Sequence, residues 1–212
     1  MEQFLGVLEM KTLTRLLSQY DRTSKGLGFK ADDTIESGDL ARLTKITTSE
    51  QLTTVSSQDS QGVIVDTLDN IDYDHFAKSS ILIGYDAREA GNLPPLTDET
   101  PISFAIIDLT TELASLQFHD DFSIVLAIEQ GQLSEDPQNL YSLLRGRQAL
   151  PLAAILLDDK NSNELRNANS IFAIRSLSDA TSLPLIMPSG STNPSEEEMI
   201  DLKTLGVRAL LA

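Results

Sequence analysis

The chain has 212 residues, 41% of them apolar, which is enough to bury one full-sized core and suits a single α/β domain better than two small ones. Its formal charge of -16 should repel phosphodiester backbones and anionic lipid headgroups, which sets aside nucleic acid and membranes as partners. With 0 Cys the chain has no haem-attachment, iron–sulfur or zinc–cysteine motif, no disulfide and no thiolate nucleophile, and a cytoplasmic location is the default expectation.

Residues 1–42 read as an N-terminal helix and a cover segment, and residues 43–212 as strand-helix repeats of the same domain. "MEQFLGVLEMKTLTRLLSQY" lacks the basic start and unbroken apolar core of a signal peptide, and nowhere does a run approach the ~20 apolar residues of a membrane helix. From Glu2 to Gln19, the residues Phe4, Leu5, Leu8, Leu13, Leu16 and Leu17 fall on a helical stripe that should dock on the domain. "KGLGFKADDTIESGD" follows as a cover, with Gly26 and Gly28 allowing tight turns; "GLGFKA" is not a dinucleotide fingerprint.

Eight short apolar runs come next: "LTKIT" (Leu43–Thr47), "GVIVDTL" (Gly62–Leu68), "ILIGYDA" (Ile81–Ala87), "FAIIDL" (Phe104–Leu109), "FSIVLAIE" (Phe122–Glu129), "AAILLDD" (Ala153–Asp159), "LPLIMPS" (Leu183–Ser189) and "VRALLA" (Val207–Ala212). Each is apolar on consecutive residues, as a strand covered on both faces must be, so they predict a parallel sheet. Between them lie helix signals. Thr48 or Ser49 caps "TSEQLTTVSSQ", Ser134 and Pro137 open "SEDPQNLYSLLRGRQAL", and Ser195 precedes three glutamates in "NPSEEEMIDLKTLG". "REAGNLPPLTDETPIS", with three prolines, reads as an irregular crossover.

The predicted fold class is a single parallel (β/α)8-type barrel, with Val207–Ala212 as the closing strand beside Leu43–Thr47 and the N-terminal helix standing where the last outer helix would be. An open doubly wound parallel sheet is the alternative; its edge strands would normally be more polar than these.

"LPLIMPSGSTNPSEEEMIDLKTLGVRALLA" resembles the last quarter of phosphate-binding (β/α)8 barrels of the indole-3-glycerol-phosphate synthase group, and "KITTSEQLTTVSSQDSQGVIVDTL" is more loosely similar to their early units. The resemblance covers about the last thirty residues. It implies a phosphate cup after strand seven, here Ser189, Gly190 and Ser191, and a lysine near strand one that acts as an acid or clamp, a role that falls on Lys45 by position. The family's second glycine, after strand eight, has no counterpart before Ala212.

In a parallel barrel the reacting groups gather where the strands end. Those ends are Lys45, Asp66, Asp86 with Arg88, Asp108, Glu129, Asp158 with Asp159 and Lys160, and Ser189-Gly190-Ser191. Lys45, Asp66, Asp86 and Glu129 are the catalytic candidates: the carboxylates would move protons, and a lysine in an apolar mouth could form a Schiff base or act as a base. Carboxylates crowded on one rim should repel one another, raise some of their pKa values and attract a hard divalent cation such as magnesium, with Asp108 and Asp158 as its ligands. The plainer alternative is that an acid after an apolar run only caps the next helix, and that Lys45 pairs with a rim acid such as Asp66. His75 and His119, each flanked by aspartate, match no trusted ligand spacing, and Ser189 and Ser191 lack an adjacent histidine base. "RGR" at Arg145–Arg147 closes a predicted helix and complements its dipole.

Two functions follow. One is a barrel enzyme, a lyase, aldolase or isomerase acting on a small anionic, phosphorylated or carboxylated metabolite held by Ser189, Gly190 and Ser191. The other is a non-catalytic barrel serving as a binding or structural protein. A homodimer is the common assembly for such folds.

Overall fold

The computed structural model describes residues 12–21, 39–48, 51, 60–67, 81–95, 102–114, 118, 120–129, 132, 142, 144, 150–158, 168–189 and 194–212. Eight described strands close a barrel: β1 (Ala41–Ile46), β2 (Gly62–Val65), β3 (Leu82–Asp86), β5 (Phe104–Ile107), β7 (Ser123–Glu129), β8 (Leu152–Asp158), β9 (Leu185–Pro188) and β10 (Val207–Leu211). Each barrel pairing is parallel, and the ring runs β1-β10-β9-β8-β7-β5-β3-β2 before returning to β1. These are the eight apolar runs, so the closed barrel stands and the open sheet is excluded. Closure is by Ala41 pairing with Ala209 and Leu43 with Leu211, extended by the Lys45 N–H donating to the Ala212 carbonyl at 2.8 Å.

Alternation, displaced by register shifts at Ile124/Val125 and Val207/Ala209, sorts the strand residues into two cores. Outward residues such as Ile46, Val63, Val65, Ile83 and Ile128 belong to the cluster that also takes Ile174 and Leu177 of the outer helix α2 (Ala168–Thr181). Inward residues, among them Leu43, Ile64, Phe104, Val125, Leu156 and Ile186, fill the barrel itself. Burial on both faces is why the strands read as continuous apolar runs rather than as alternating ones.

The irregular crossover after β3 carries β4 (Asn92–Leu93), which pairs in parallel with β6 (Glu112–Leu113) after β5. A pairing of two such short strands leaves no period in the sequence.

The N-terminal helix corrects an expectation. The described helix α1 runs Leu13–Asp21, and Leu13, Leu16, Leu17 and Tyr20 pack among the inward residues, not on the outer wall. It meets β1, β8 and β10 near their starts. Thus α1 closes the N-terminal end of the barrel and does not substitute for the last outer helix. The physical reason is that residues Ala41, Leu43, Leu82 and Ala154 would otherwise present an open apolar shaft to water, and the helix covers it. The helix expected between Ser134 and Leu150, the "GLGFKADD" cover, and residues 2–11 of the N-terminal helix lie largely or wholly outside the described residues.

Helix α3 (Glu196–Thr204) begins where its sequence says it should. The Ser195 hydroxyl accepts from the Glu198 N–H, and the Glu198 carboxylate accepts from the Ser195 N–H at 2.8 Å, a complete capping box. No α3 residue is buried, so the cap carries an unusual share of its stability. Ser195→Ala is expected to cost about 1 kcal/mol, measured by chemical denaturation. The helix ends at Gly206, whose φ of 95° is left-handed and where any side chain would collide with Ser178 of α2.

Candidate active site

The inward alternation continues past the apolar layers and delivers a charged residue from each of six of the eight strands to the C-terminal mouth. Ala41 and Leu43 lead to Lys45, Ile64 to Asp66, Leu82 to Asp86, Ile106 to Asp108, Ala127 to Glu129, and Leu156 to Asp158. All six predicted rim residues therefore share one face of the ladder, and Glu129 and Asp158 are direct register partners. Of the anion turn, Ser189 closes β9 and its N–H donates to the Leu211 carbonyl at 2.8 Å; Gly190 and Ser191 lie outside the described residues, as do His75, His119, Asp159 and Lys160.

Asp86 is the centre of the arrangement, with its side chain only 1% exposed. Arg88, two residues on, grips it with both arms: Nε donates to Oδ1 at 2.8 Å and Nη2 to Oδ2 at 2.7 Å. Lys45 Nζ reaches the same Oδ2 at 3.4 Å. Each cation has a second partner. Lys45 also pairs with Glu89 Oε1 at 3.2 Å, on a side chain that is 72% exposed. Arg88 Nη1 pairs with Asp158, which stands three strands away around the ring, so Arg88 spans the mouth like a bar.

Charges of both signs change what the rim carboxylates do. Burial alone would raise the Asp86 pKa, but hydrogen bonds and charge from Arg88, with Lys45 behind them, outweigh it and hold the carboxyl below its ordinary value. Asp108 follows the same pattern. Burial acts upward, yet hydroxyl and backbone bonds from Thr110 and Thr111 lower it. The expectation of raised pKa values from mutual repulsion is thus reversed at both residues, because cations and donors were folded in among the acids. Lys45 is pushed down by burial and up, more strongly in sum, by Asp86 and Glu89. It is held as an ammonium, which suits a hydrogen-bond donor, acid or anion clamp and not a Schiff-base nucleophile. Its partners are Asp86 and Glu89 rather than the anticipated Asp66.

The donor set does not suit the anticipated divalent cation. Asp86 and Asp158 are taken by Arg88, Asp108 by two threonines, and among the described residues no group of three or more His, Cys, Asp or Glu could hold a metal ion. Glu89, Thr110 and Thr111 were not singled out in the sequence. "YDAREA" held the available signal, an acid and a base two residues apart at the end of a strand.

No protein-family model matches the chain, and neither does any curated protein. Solved structures do match it. The copper homeostasis protein CutC from Streptococcus agalactiae aligns with a TM-score of 0.54 at 13% identity, over 82% of this chain and 98% of that one. A phosphonopyruvate hydrolase, solved with oxalate and magnesium, gives 0.52 at 12% identity, over 95% and 80%. The N-acetylmannosamine-6-phosphate 2-epimerase from Clostridium perfringens gives 0.50 at 10% identity, over 87% and 92%. At these identities the likeness is one of fold, and the fold is the TIM-type barrel. The comparisons do not support the narrower resemblance to the indole-3-glycerol-phosphate synthase group. Among the described residues, no helix is long and apolar enough to cross a membrane.

Proposed function

We propose that the chain is a barrel enzyme of the lyase, aldolase or isomerase type, acting on a small anionic metabolite that binds at Lys45 and Arg88. One observation carries this reading. A buried carboxylate, Asp86, holds two cations at the centre of the mouth, and each cation has one further partner that a ligand could replace: exposed Glu89 on Lys45 and half-buried Asp158 on Arg88. Both cations contact the same Asp86 oxygen, so one carboxylate or phosphate group could bridge them. Asp86 remains as the counter-charge that positions both. Lys45, kept protonated, would donate to negative charge developing on a substrate oxygen, and Glu129 or Asp66 would move the proton. The fold supports the reading by analogy, since its relatives named above include a hydrolase and an epimerase.

Ser189, Gly190 and Ser191 are a second anion contact in this proposal, weakened by two findings. The Ser189 amide serves the ladder, and the α3 amide of Glu198 is already capped. The ligand is a small organic anion met in the cytoplasm, and a homodimer is the assembly to test by light scattering. The second reading, a non-catalytic barrel, is favoured by the Arg88 bar itself, which ties two walls of the mouth together.

The test is titration of oxalate and of inorganic phosphate, followed through the side-chain NMR signals of Lys45 and Arg88. Asp158→Asn is expected to tighten binding about two- to fivefold, because it removes a competing ion pair worth up to ~1 kcal/mol. Arg88→Gln is expected to abolish it. If neither anion shifts these signals in either the wild type or Asp158→Asn, the non-catalytic reading takes its place.

A further inference from the structure

Among the described residues four large apolar side chains stand exposed, and three of them share one stretch of the outer wall. Ile171 (37% exposed) and Phe172 (70%) lie on α2, and Ile200 (50%) lies on α3. Both helices link successive parallel strands, β8 to β9 and β9 to β10, so they run in the same direction. Arg175 of α2 fixes their relative level, because its Nη1 donates to the Thr204 carbonyl of α3 at 2.6 Å. Ile171 comes one turn before Arg175, and Ile200 one turn before Thr204, so the two isoleucines stand at one level on adjoining helices. Ile171 shares the Arg175 face of α2 and therefore looks toward α3, with Phe172 beside it, turned to solvent.

The fold itself gains little from these side chains. β-branched and aromatic residues are weaker helix formers than the Leu, Glu or Lys that suit a helix surface, and at these exposures each leaves much of its apolar area in water. The outer core is served instead by Ile174 and Leu177 from α2 and, in part, by Met199 and Leu202 from α3. Apolar residues exposed singly are ordinary, whereas several at one level mark a contact surface. The rim of this surface has a sign. Glu196, Glu197 and Asp201 are exposed on α3, the first two one turn before Ile200 and the third next to it. The two glutamates also favour the helix N-terminus, but Asp201 lies beyond the first turn, where the dipole gives it no benefit. The nearby bases do not offset them: Arg175 pairs with Asp179 at 3.1 Å, and Lys203 is half-buried.

We propose that this face of α2 and α3 is a docking surface for a basic amphipathic helix of another protein. The apolar side of that helix would seat against Ile171, Phe172 and Ile200, and lysines or arginines along its edge would meet Glu197 and Asp201. A second copy of this chain is the poorer occupant, since each copy would bring the same acidic rim to the contact in a chain of net charge -16. The surface lies on the outer wall, so binding there does not depend on the chemistry proposed for Lys45 and Arg88 at the mouth.

An amphipathic peptide built of leucine and lysine is the probe, and its leucine–glutamate counterpart is the control. The lysine peptide is expected to shift the methyl signals of Ile171 and Ile200 in a saturable way, more weakly as salt is raised. The glutamate peptide should give no such shift. Phe172→Ser combined with Ile200→Ser should melt near the wild-type temperature and bind the lysine peptide about tenfold more weakly, the scale for losing interface anchors, with Ile171 as the reporter. Glu197→Lys combined with Asp201→Lys should weaken binding several-fold. The same change of charge at exposed Asp120 and Asp121, before β7, should leave binding near that of the wild type. These two charge variants decide the matter if the serine variant fails to fold. Absent or non-saturating shifts, undiminished binding by the folded serine variant, an equal loss from Asp120 and Asp121, or equal binding of the glutamate peptide would each overturn the proposal. So would self-association in light scattering that Phe172→Ser abolishes, because a second copy would then occupy this face.

Discussion

Phe104→Ala is expected to lower the free energy of unfolding by about 3–5 kcal/mol, the range for removing a large aromatic side chain from a packed core. Phe104 is fully buried within the barrel, and its register partner on β3 is Gly84. A Cβ at Gly84 would overlap three atoms of the Phe104 ring, so the glycine is what allows the ring to cross the barrel axis region at that level. Gly84→Ala alone should therefore destabilise by about 1–3 kcal/mol through overpacking. The two changes share one space, and together they should cost less than the sum of their separate effects. Denaturant unfolding of the four species measures this. A strictly additive double variant would show that Gly84 and Phe104 do not depend on each other.

Asp86→Asn is the second large effect, at about 3 kcal/mol near neutral pH, the low end of the range for orphaning buried charge because Lys45 and Arg88 retain some solvent and their second partners. The sign of the pH dependence identifies the cause. The folded pKa of Asp86 lies below its ordinary value of 3.8, so its contribution is fully present above that value and is lost as the pH falls through the lower folded one. Lys45 is raised above 10.5, so its contribution is complete throughout the acid range and is lost only at high alkaline pH. The stability difference between wild type and Asp86→Asn should thus be constant from neutral pH down to about 4 and shrink below it. A difference that grew on acidification would contradict the assignment of Asp86 as the buried counter-charge.

The strands were legible in the sequence because burial on both faces leaves no polar interruption, and "GVIVDTL" or "FAIIDL" could hardly be read otherwise. The rim followed from them, since an acid two residues after an inward apolar residue must point the same way as that residue. What was hidden is the pairing. Arg88 is long enough to reach Asp158 across the barrel, and a distance between strands three places apart in a ring leaves no spacing in the chain. The place of α1 was hidden for a related reason: the stripe of Leu13, Leu16 and Leu17 says that the helix docks, and it says the same for an outer wall as for an open end.

The pairing of β1 with β10 has a consequence for how the chain reaches this state. Ala41 and Ala209 meet although they lie nearly the whole chain apart, and β10 is inserted between β1 and β9. Loop closure of that length carries a large entropic cost before any contact compensates it, which makes the joining event a slow step in folding. Until Val207–Leu211 arrives, β1 and β9 each expose an unpaired backbone edge flanked by apolar residues, a template for another copy of the same chain. During synthesis from the N-terminus, the segment that relieves this exposure emerges after the other seven barrel strands, so the nascent protein passes through an interval in which protection from self-association must come from outside its own fold.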